Sequence, residues 1–162
     1  MRKAPRNFAF IDSQNINLGF QDLGWKLDWR RFRIYLEEKY AVETAYLFIG
    51  YIPGNQELYT ALQRYRCVLV FKPVMKLRSG RVKGNVDAEL VLQAMIDYDS
   101  YEKAVIVTSD GDFHCLVKYL NEQGKLERVL SPRQKSCSYL LTQAAKEKID
   151  FLEGLEKKLA YK

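Results

Sequence analysis

Short apolar runs alternate along this chain with longer stretches in which apolar residues recur every three or four positions. Runs of the first kind, bounded by turn residues, suit strands buried on both faces, and recurrence of the second kind suits helices packed by one face. Residues 8–12, Phe-Ala-Phe-Ile-Asp, predict a strand that stops at Asp12, after which Ser13, Gln14 and Asn15 open a short turn to Gly24. Residues 28–40 predict a helix capped by Asp28, with Trp29, Phe32, Ile34, Tyr35 and Leu36 on its apolar side. Residues 42–51 are β-branched and aromatic and predict a strand, closed by Ile52-Pro53-Gly54-Asn55 and followed by a helix over 56–66. A third strand covers 67–74, and Pro73, which cannot donate to a ladder, puts it at a sheet edge.

Residues 76–84, centred on Ser79-Gly80, form a basic loop or hairpin, and 85–98 predict a helix with Asp87 in its first turn. The stretch 105–113, Val-Ile-Val-Thr-Ser-Asp-Gly-Asp-Phe, passes from a buried strand through a tight turn into a helix that runs from about 112 to 123 and ends at Gly124. A short strand at 126–130, a break at Ser131-Pro132 and one or two helices over 136–159 complete the chain. Alternation of strand and helix throughout predicts an α/β fold with a parallel sheet covered on both faces. In such sheets the ligand crevice lies outside the carboxyl ends of the strands, where Asp12 and Asp110 emerge.

A chain of 162 residues, 48% hydrophobic and 28% charged, fits one soluble globular domain. No apolar run approaches membrane-span length, and the basic start is followed by too short an apolar stretch for a signal peptide, so a cytoplasmic protein is expected. Cys67, Cys115 and Cys137 lie far apart without a Cys-x-x-Cys pair, which argues for small buried thiols in a reducing compartment rather than zinc or disulfides. The formal charge is +6, and its distribution matters more than its sum. Residues 58–86 hold Arg64, Arg66, Lys72, Lys76, Arg78, Arg81 and Lys83 and no acid, whereas 87–112 hold seven acids against Lys103. A basic block suggests a polyanionic partner, which the acidic neighbour repels unless cations intervene.

Several enzyme classes are disfavoured. The chain lacks the Gly-x-x-x-x-Gly-Lys-[Ser/Thr], Gly-x-Gly-x-x-Gly and Gly-x-Ser-x-Gly motifs, and its single histidine, His114, makes a Ser-His-Asp triad a poor fit. Asp12 has no acid two residues later, as an aspartyl-phosphate phosphatase usually needs. What stands out is the arrival of Asp12, Asp87, Asp110 and Asp112 from three separate elements. Each alone is a reasonable helix N-cap, and composition is compatible with three independent caps. Brought together they repel, so at least one holds a proton or a hard divalent cation joins them; Mg²⁺ and Mn²⁺ prefer such oxygen ligands.

Three segments, Phe-Ile-Asp12-Ser-Gln-Asn15, Lys83-Gly-Asn-Val-Asp87-Ala-Glu-Leu-Val-Leu and Val-Thr108-Ser-Asp110-Gly-Asp112-Phe113, occur in an order that resembles the NYN domain, a branch of the PIN-like metal-dependent ribonucleases. The resemblance runs from about residue 7 to about 145, leaving 146–162 as a helical extension of a single domain. It implies a three-layer fold whose sheet has strand order 3-2-1-4-5, with Asp12 and Asp110 on adjacent strands. It also implies that Asp12, Asp87, Asp110 and Asp112 hold one or two Mg²⁺ or Mn²⁺ ions, that a metal-activated water cleaves RNA phosphodiester bonds internally, and that Asn15 and Thr108 position these groups. Ser13 stands where glycine is common in the family, and Gln93 where a further aspartate is frequent, which weakens a second metal site.

Lys76, Arg78, Arg81 and Lys83 are candidate phosphate contacts beside Asp87, and Trp25, Trp29 and Tyr51 are candidate stacking platforms for bases. Selectivity among RNAs then falls to the surface, a protein partner or a homo-oligomer. The rival expectation, from another class, is an RNA-binding or protein-docking module that keeps the fold and the acids but does not cleave.

Overall fold

The computed structural model describes residues 6–73, 75–76, 78–79, 82–83 and 86–162. Its elements run β1 (Asn7–Asp12), α1 (Ser13–Leu23), α2 (Trp29–Tyr40), β2 (Val42–Tyr51), α3 (Gln56–Arg64), β3 (Cys67–Pro73), β4 (Met75–Lys76) and β5 (Val82–Lys83). They continue with α4 (Asp87–Ile96), β6 (Ala104–Val107), a 3₁₀ turn (Gly111–Phe113), α5 (His114–Glu122), β7 (Leu126–Ser131), α6 (Tyr139–Ala145), β8 (Ile149–Phe151) and α7 (Glu156–Leu159).

Because side chains alternate across a strand, β1 feeds two cores at once. Ala9 and Ile11 join Ile16 and Phe20 of α1, Phe32 and Leu36 of α2 and Leu62 of α3 on one side. Phe8 and Phe10 join Leu90 and Ala94 of α4, Val117 and Leu120 of α5 and Leu141 of α6 on the other. The result is three layers, with helices on both faces of a sheet ordered β3-β2-β1-β6-β7-β8, every neighbouring pair parallel. β3 lies at an edge, as Pro73 implies. β1 pairs with β6 from Phe8–Ala104 to Ile11–Val107, so the acids that follow these strands leave the sheet side by side.

Three expectations fail. Residues 13–23 form an eleven-residue helix, not a turn. Asp12 caps it by accepting from the Asn15 N–H, Ile16 and Phe20 bury its inner side, and Gly24 at φ 84° closes it in the left-handed conformation. The segment 146–162 is not wholly helical either, because β8 pairs with β7 through Val129–Ile149 and Ser131–Phe151 and adds a sixth strand to the expected five. Tyr40 donates to Asp150 Oδ2 at 2.7 Å, fastening that strand to α2. The thiols also differ from expectation: Cys67 is buried and Cys137 partly so, but Cys115 is exposed; all three are free.

A buried cation anchors α2 to the start of two strands. Arg33 donates from Nη2 to Glu43 O at 2.8 Å, from Nη1 to Val42 O at 3.3 Å and from Nε to Arg66 O at 3.4 Å. Burial lowers its pKa, and the nearby Arg66 cation adds to that. Replacing it with methionine retains much of the stem volume and leaves these carbonyls without their donor. Arg33→Met is expected to lower the unfolding free energy by about 2–4 kcal/mol; urea denaturation checks this, and an unchanged midpoint would show that water replaces the guanidinium at no cost.

Candidate metal centre

Asp12, Asp87 and Asp110 each place a carboxylate oxygen within 4.8 Å of the other two. They reach this point for separate reasons. Asp12 ends β1 and caps α1, Asp87 opens α4, and Asp110 follows β6 and caps the 3₁₀ turn by accepting from the Asp112 N–H at 2.9 Å. The capping expected of isolated aspartates is therefore real at Asp12 and Asp110, and the same side chains still converge. A cavity of about 230 Å³ opens onto the triad, lined also by Gln14, Asn15, Leu18 and Val86.

The three acids are not equivalent. Asp12 is 5% exposed, and burial pushes its pKa up to about 6 against hydrogen bonds from the Asn15 N–H and the Thr108 hydroxyl, with the charges of Asp87 and Asp110 adding to the rise. A buried carboxyl with two acidic neighbours is a poor resting place for an anion without a cation. The donor set is all oxygen, which is the chemistry that Mg²⁺ and Mn²⁺ select. The residues thus fit a hard divalent ion.

Thr108 and Asn15 hold the two strand ends in register. Thr108, fully buried, donates from Oγ1 to Asp12 Oδ2 at 3.2 Å and accepts from the Asp110 N–H at 3.1 Å. Asn15 Oδ1 accepts from both the N–H and the hydroxyl of Ser109, each at 2.8 Å. One residue on α1 and one directly after β6 therefore fix the spacing between Asp12 and Asp110.

Asp112 is exposed and stands outside the triad. The 3₁₀ turn takes it past the convergence point, a geometry that the run Asp-Gly-Asp does not reveal. Gln93 donates to Asp97 Oδ2 at 2.9 Å, a turn further along α4, and does not line the cavity. His114 Nδ1 lies 2.8 Å from Gly111 O, and its ring lines a different cleft between α5 and α6.

Lys76 and Lys83 fall in the paired strands β4 and β5, Arg78 is exposed in the turn beyond β4, and Arg81 lies outside the described residues. Trp25 and Trp29 are partly buried against the core, next to Phe20 and Phe32 respectively, and are not free platforms; Tyr51 is exposed.

Sequence reasoning missed Gln14 and Leu18 as cavity residues because it read 13–24 as a turn and so had no helix face to project, and it missed Val86, which precedes α4 and lines the cavity beside Asp87. It also missed Ser138, whose N–H donates to Ser109 O at 3.1 Å and whose Cβ would come within 3.0 Å of a Cβ at Gly111. The glycine is what lets α6 support the Asp110 turn so closely.

The NYN domain profile matches residues 8–153, and the chain belongs to this nuclease-related family. A solved structure of a protein of unknown function from Vibrio parahaemolyticus RIMD 2210633 superposes with a TM-score of 0.79 at 19% identity, covering 98% of this chain and 99% of that one. At that identity the likeness speaks for the fold alone. No curated protein matches the chain.

The raised pKa of Asp12 has a definite sign in stability. An unfolded aspartate titrates near 3.9, so between about pH 4 and 6 the folded protein holds a proton that the unfolded chain has lost. The favourable contribution is complete below the unfolded value and is lost as pH rises through about 6. In chelator-treated protein, Asp12→Asn is therefore expected to gain on the wild type by on the order of 3 kcal/mol between pH 4 and 7. Thermal melts of both proteins across that range check it, and a constant difference would show that Asp12 titrates normally.

Proposed function

We propose that this protein is a metal-dependent ribonuclease that hydrolyses RNA phosphodiester bonds internally, with Asp12, Asp87 and Asp110 holding Mg²⁺ or Mn²⁺. The single observation that carries this reading is the convergence of three carboxylates, one of them buried, at the carboxyl edge of a parallel sheet. Membership of a nuclease-related family supports it, as does a basic hairpin that leaves the same edge after β3 and returns to α4 at Asp87. When bound, such an ion polarises a phosphoryl oxygen and lowers the pKa of water.

The chain's own groups do the remaining work. Asp12, Asp87 and Asp110 concentrate negative charge where a cation must sit, so a phosphate approaches only when that charge is balanced. Thr108 and Asn15 keep the oxygens of Asp12 and Asp110 at fixed separation, which spares reorganisation when substrate arrives. Asp112, exposed beside the triad, is assigned a supporting electrostatic role and is not needed to complete the three-acid set. Arg78, Arg81, Lys76 and Lys83 are assigned the role of phosphate contacts, on the basic character of their stretch of sequence. The protein acts on RNA in the cytoplasm, and no helix among the described residues is long and apolar enough to cross a membrane.

Asp110→Asn keeps the size of the side chain and can still cap the 3₁₀ turn, but it removes one charge from the triad. With end-labelled single-stranded RNA and Mn²⁺ or Mg²⁺, cleavage by the wild type is expected to fall at least 100-fold in this variant, while its circular dichroism stays the same. Chelator should abolish wild-type cleavage; a variant as active as the wild type, with contaminating nuclease excluded, would overturn the reading. RNA bound tightly and never cut would instead favour a non-cleaving RNA-binding module.

The hairpin has its own test. Arg78→Ala with Arg81→Ala is expected to weaken RNA binding and to flatten the slope of log affinity against log salt by about 1.4. Filter binding across a salt series measures this, and an unaltered slope rejects the hairpin as a phosphate clamp.

A further inference from the structure

An uncharged groove runs from the triad along α1. Its volume is about 400 Å³, and it shares Gln14 and Leu18 with the acidic cavity, so the two form one continuous surface. Its far side is the β2–α3 turn and the start of α3. Among the described residues, no acidic or basic side chain lines it, in a protein with 28% charged residues. By contrast, the cleft between α5 and α6 is lined by Lys118, Lys146, Lys148, Glu122 and Glu147. A surface without charge beside a charged centre is suited to a part of the substrate that carries none.

Two kinds of side chain make up the groove. Leu18, Ile52 and Leu58 are 57%, 51% and 42% exposed, an amount of apolar surface that favours being covered by a flat ring. Gln14, Asn17, Gln21 and Asn55 supply carboxamides, and none of these makes a side-chain hydrogen bond among the described residues. A carboxamide offers a donor and an acceptor side by side, the pattern that matches the edge of a nucleobase. The groove is also set in advance, because the Tyr59 hydroxyl accepts from the Ile52 N–H at 2.9 Å and the Tyr59 ring stacks on Tyr51. Little ordering cost remains when something binds.

We propose that this groove, between α1 and the β2–α3 turn, is a subsite for one unpaired nucleobase of the strand whose phosphate lies at the triad. The proposal rests on the ribonuclease reading and adds to it a substrate class: single-stranded RNA. A base stacked and paired inside a duplex presents neither face nor edge to such a groove, so helical RNA is excluded on geometric grounds. Phosphates are directed to the triad and the basic hairpin, and the base is directed away from them into the uncharged surface.

The test uses short single-stranded RNAs with 2-aminopurine at successive positions, titrated with Asp110→Asn protein so that the probe is not consumed. Fluorescence is expected to change strongly at one position on binding. Adding Asn17→Ala and Leu58→Ala, which line the groove but not the triad cavity, should abolish that change and weaken binding about tenfold. Both side chains are exposed, and an unchanged melting temperature verifies the fold.

Several results would overturn the subsite: a fluorescence change that survives both substitutions, equal affinity for the matching duplex, no RNA binding, or self-association of the protein that these substitutions abolish. Loss of the fluorescence change in the groove variant, in a protein whose wild type never cleaves, would sustain the subsite and defeat the nuclease reading. Cleavage that depends on Asp110 but ignores the groove would do the reverse.

Discussion

Three carboxylates held within 4.8 Å of one another cannot relieve their repulsion by moving apart, because each is fixed by a different part of the fold. Asp12 is committed to α1 and to Thr108, Asp110 to the 3₁₀ turn, and Asp87 to the first turn of α4. Side chains on a flexible surface would swing outward and solvate independently. Here the cost is concentrated on Asp12, whose burial leaves it the least able to carry charge alone. The whole sheet thus acts as a frame that keeps an unfavourable arrangement in place, one that the cation proposed above would make favourable.

The frame is rigid because of what surrounds β1. Both faces of that strand are buried and both of its edges are paired, so Asp12 has no slack in the backbone behind it. Thr108 and Asn15 then transmit this rigidity across to the Asp110 turn, and Ser138 supports that turn from α6. Stability and chemistry are opposed only at the acids; everywhere else around the site, the hydrogen bonds that hold the fold also hold the geometry.

Much of this was legible in the sequence, for identifiable reasons. β1, β2, β3, β6 and β7 announce themselves as short apolar runs between turn residues, and Pro73 marks its strand as an edge. The helix α1 was hidden because Ser13, Gln14, Asn15, Asn17, Gln21 and Asp22 swamp the faint periodicity of Ile16, Phe20 and Leu23. β8 was hidden because a three-residue strand, Ile149-Asp150-Phe151, is too short to show alternation among lysines and glutamates. The acids were recognisable as candidates by motif, but the order of motifs along a chain says nothing of direction in space. The run Asp-Gly-Asp therefore offers Asp112 alongside Asp110, although only Asp110 reaches the triad.

The position of β1 at the middle of the sheet also governs when the protein can become whole. β2 emerges soon after it and covers one edge, but the partner for its other edge, β6, follows roughly a hundred residues later. At synthesis rates of about 5–20 residues per second, the edge carrying Phe8, Ala9, Phe10 and Ile11 waits about 5–20 s for its partner on a ribosome. Throughout that interval an apolar strand is open to any chain that can pair with it. Asp12, the last residue of that strand, is then still a lone carboxylate, and the repulsive cluster assembles only once the rest of the sheet is present to contain it.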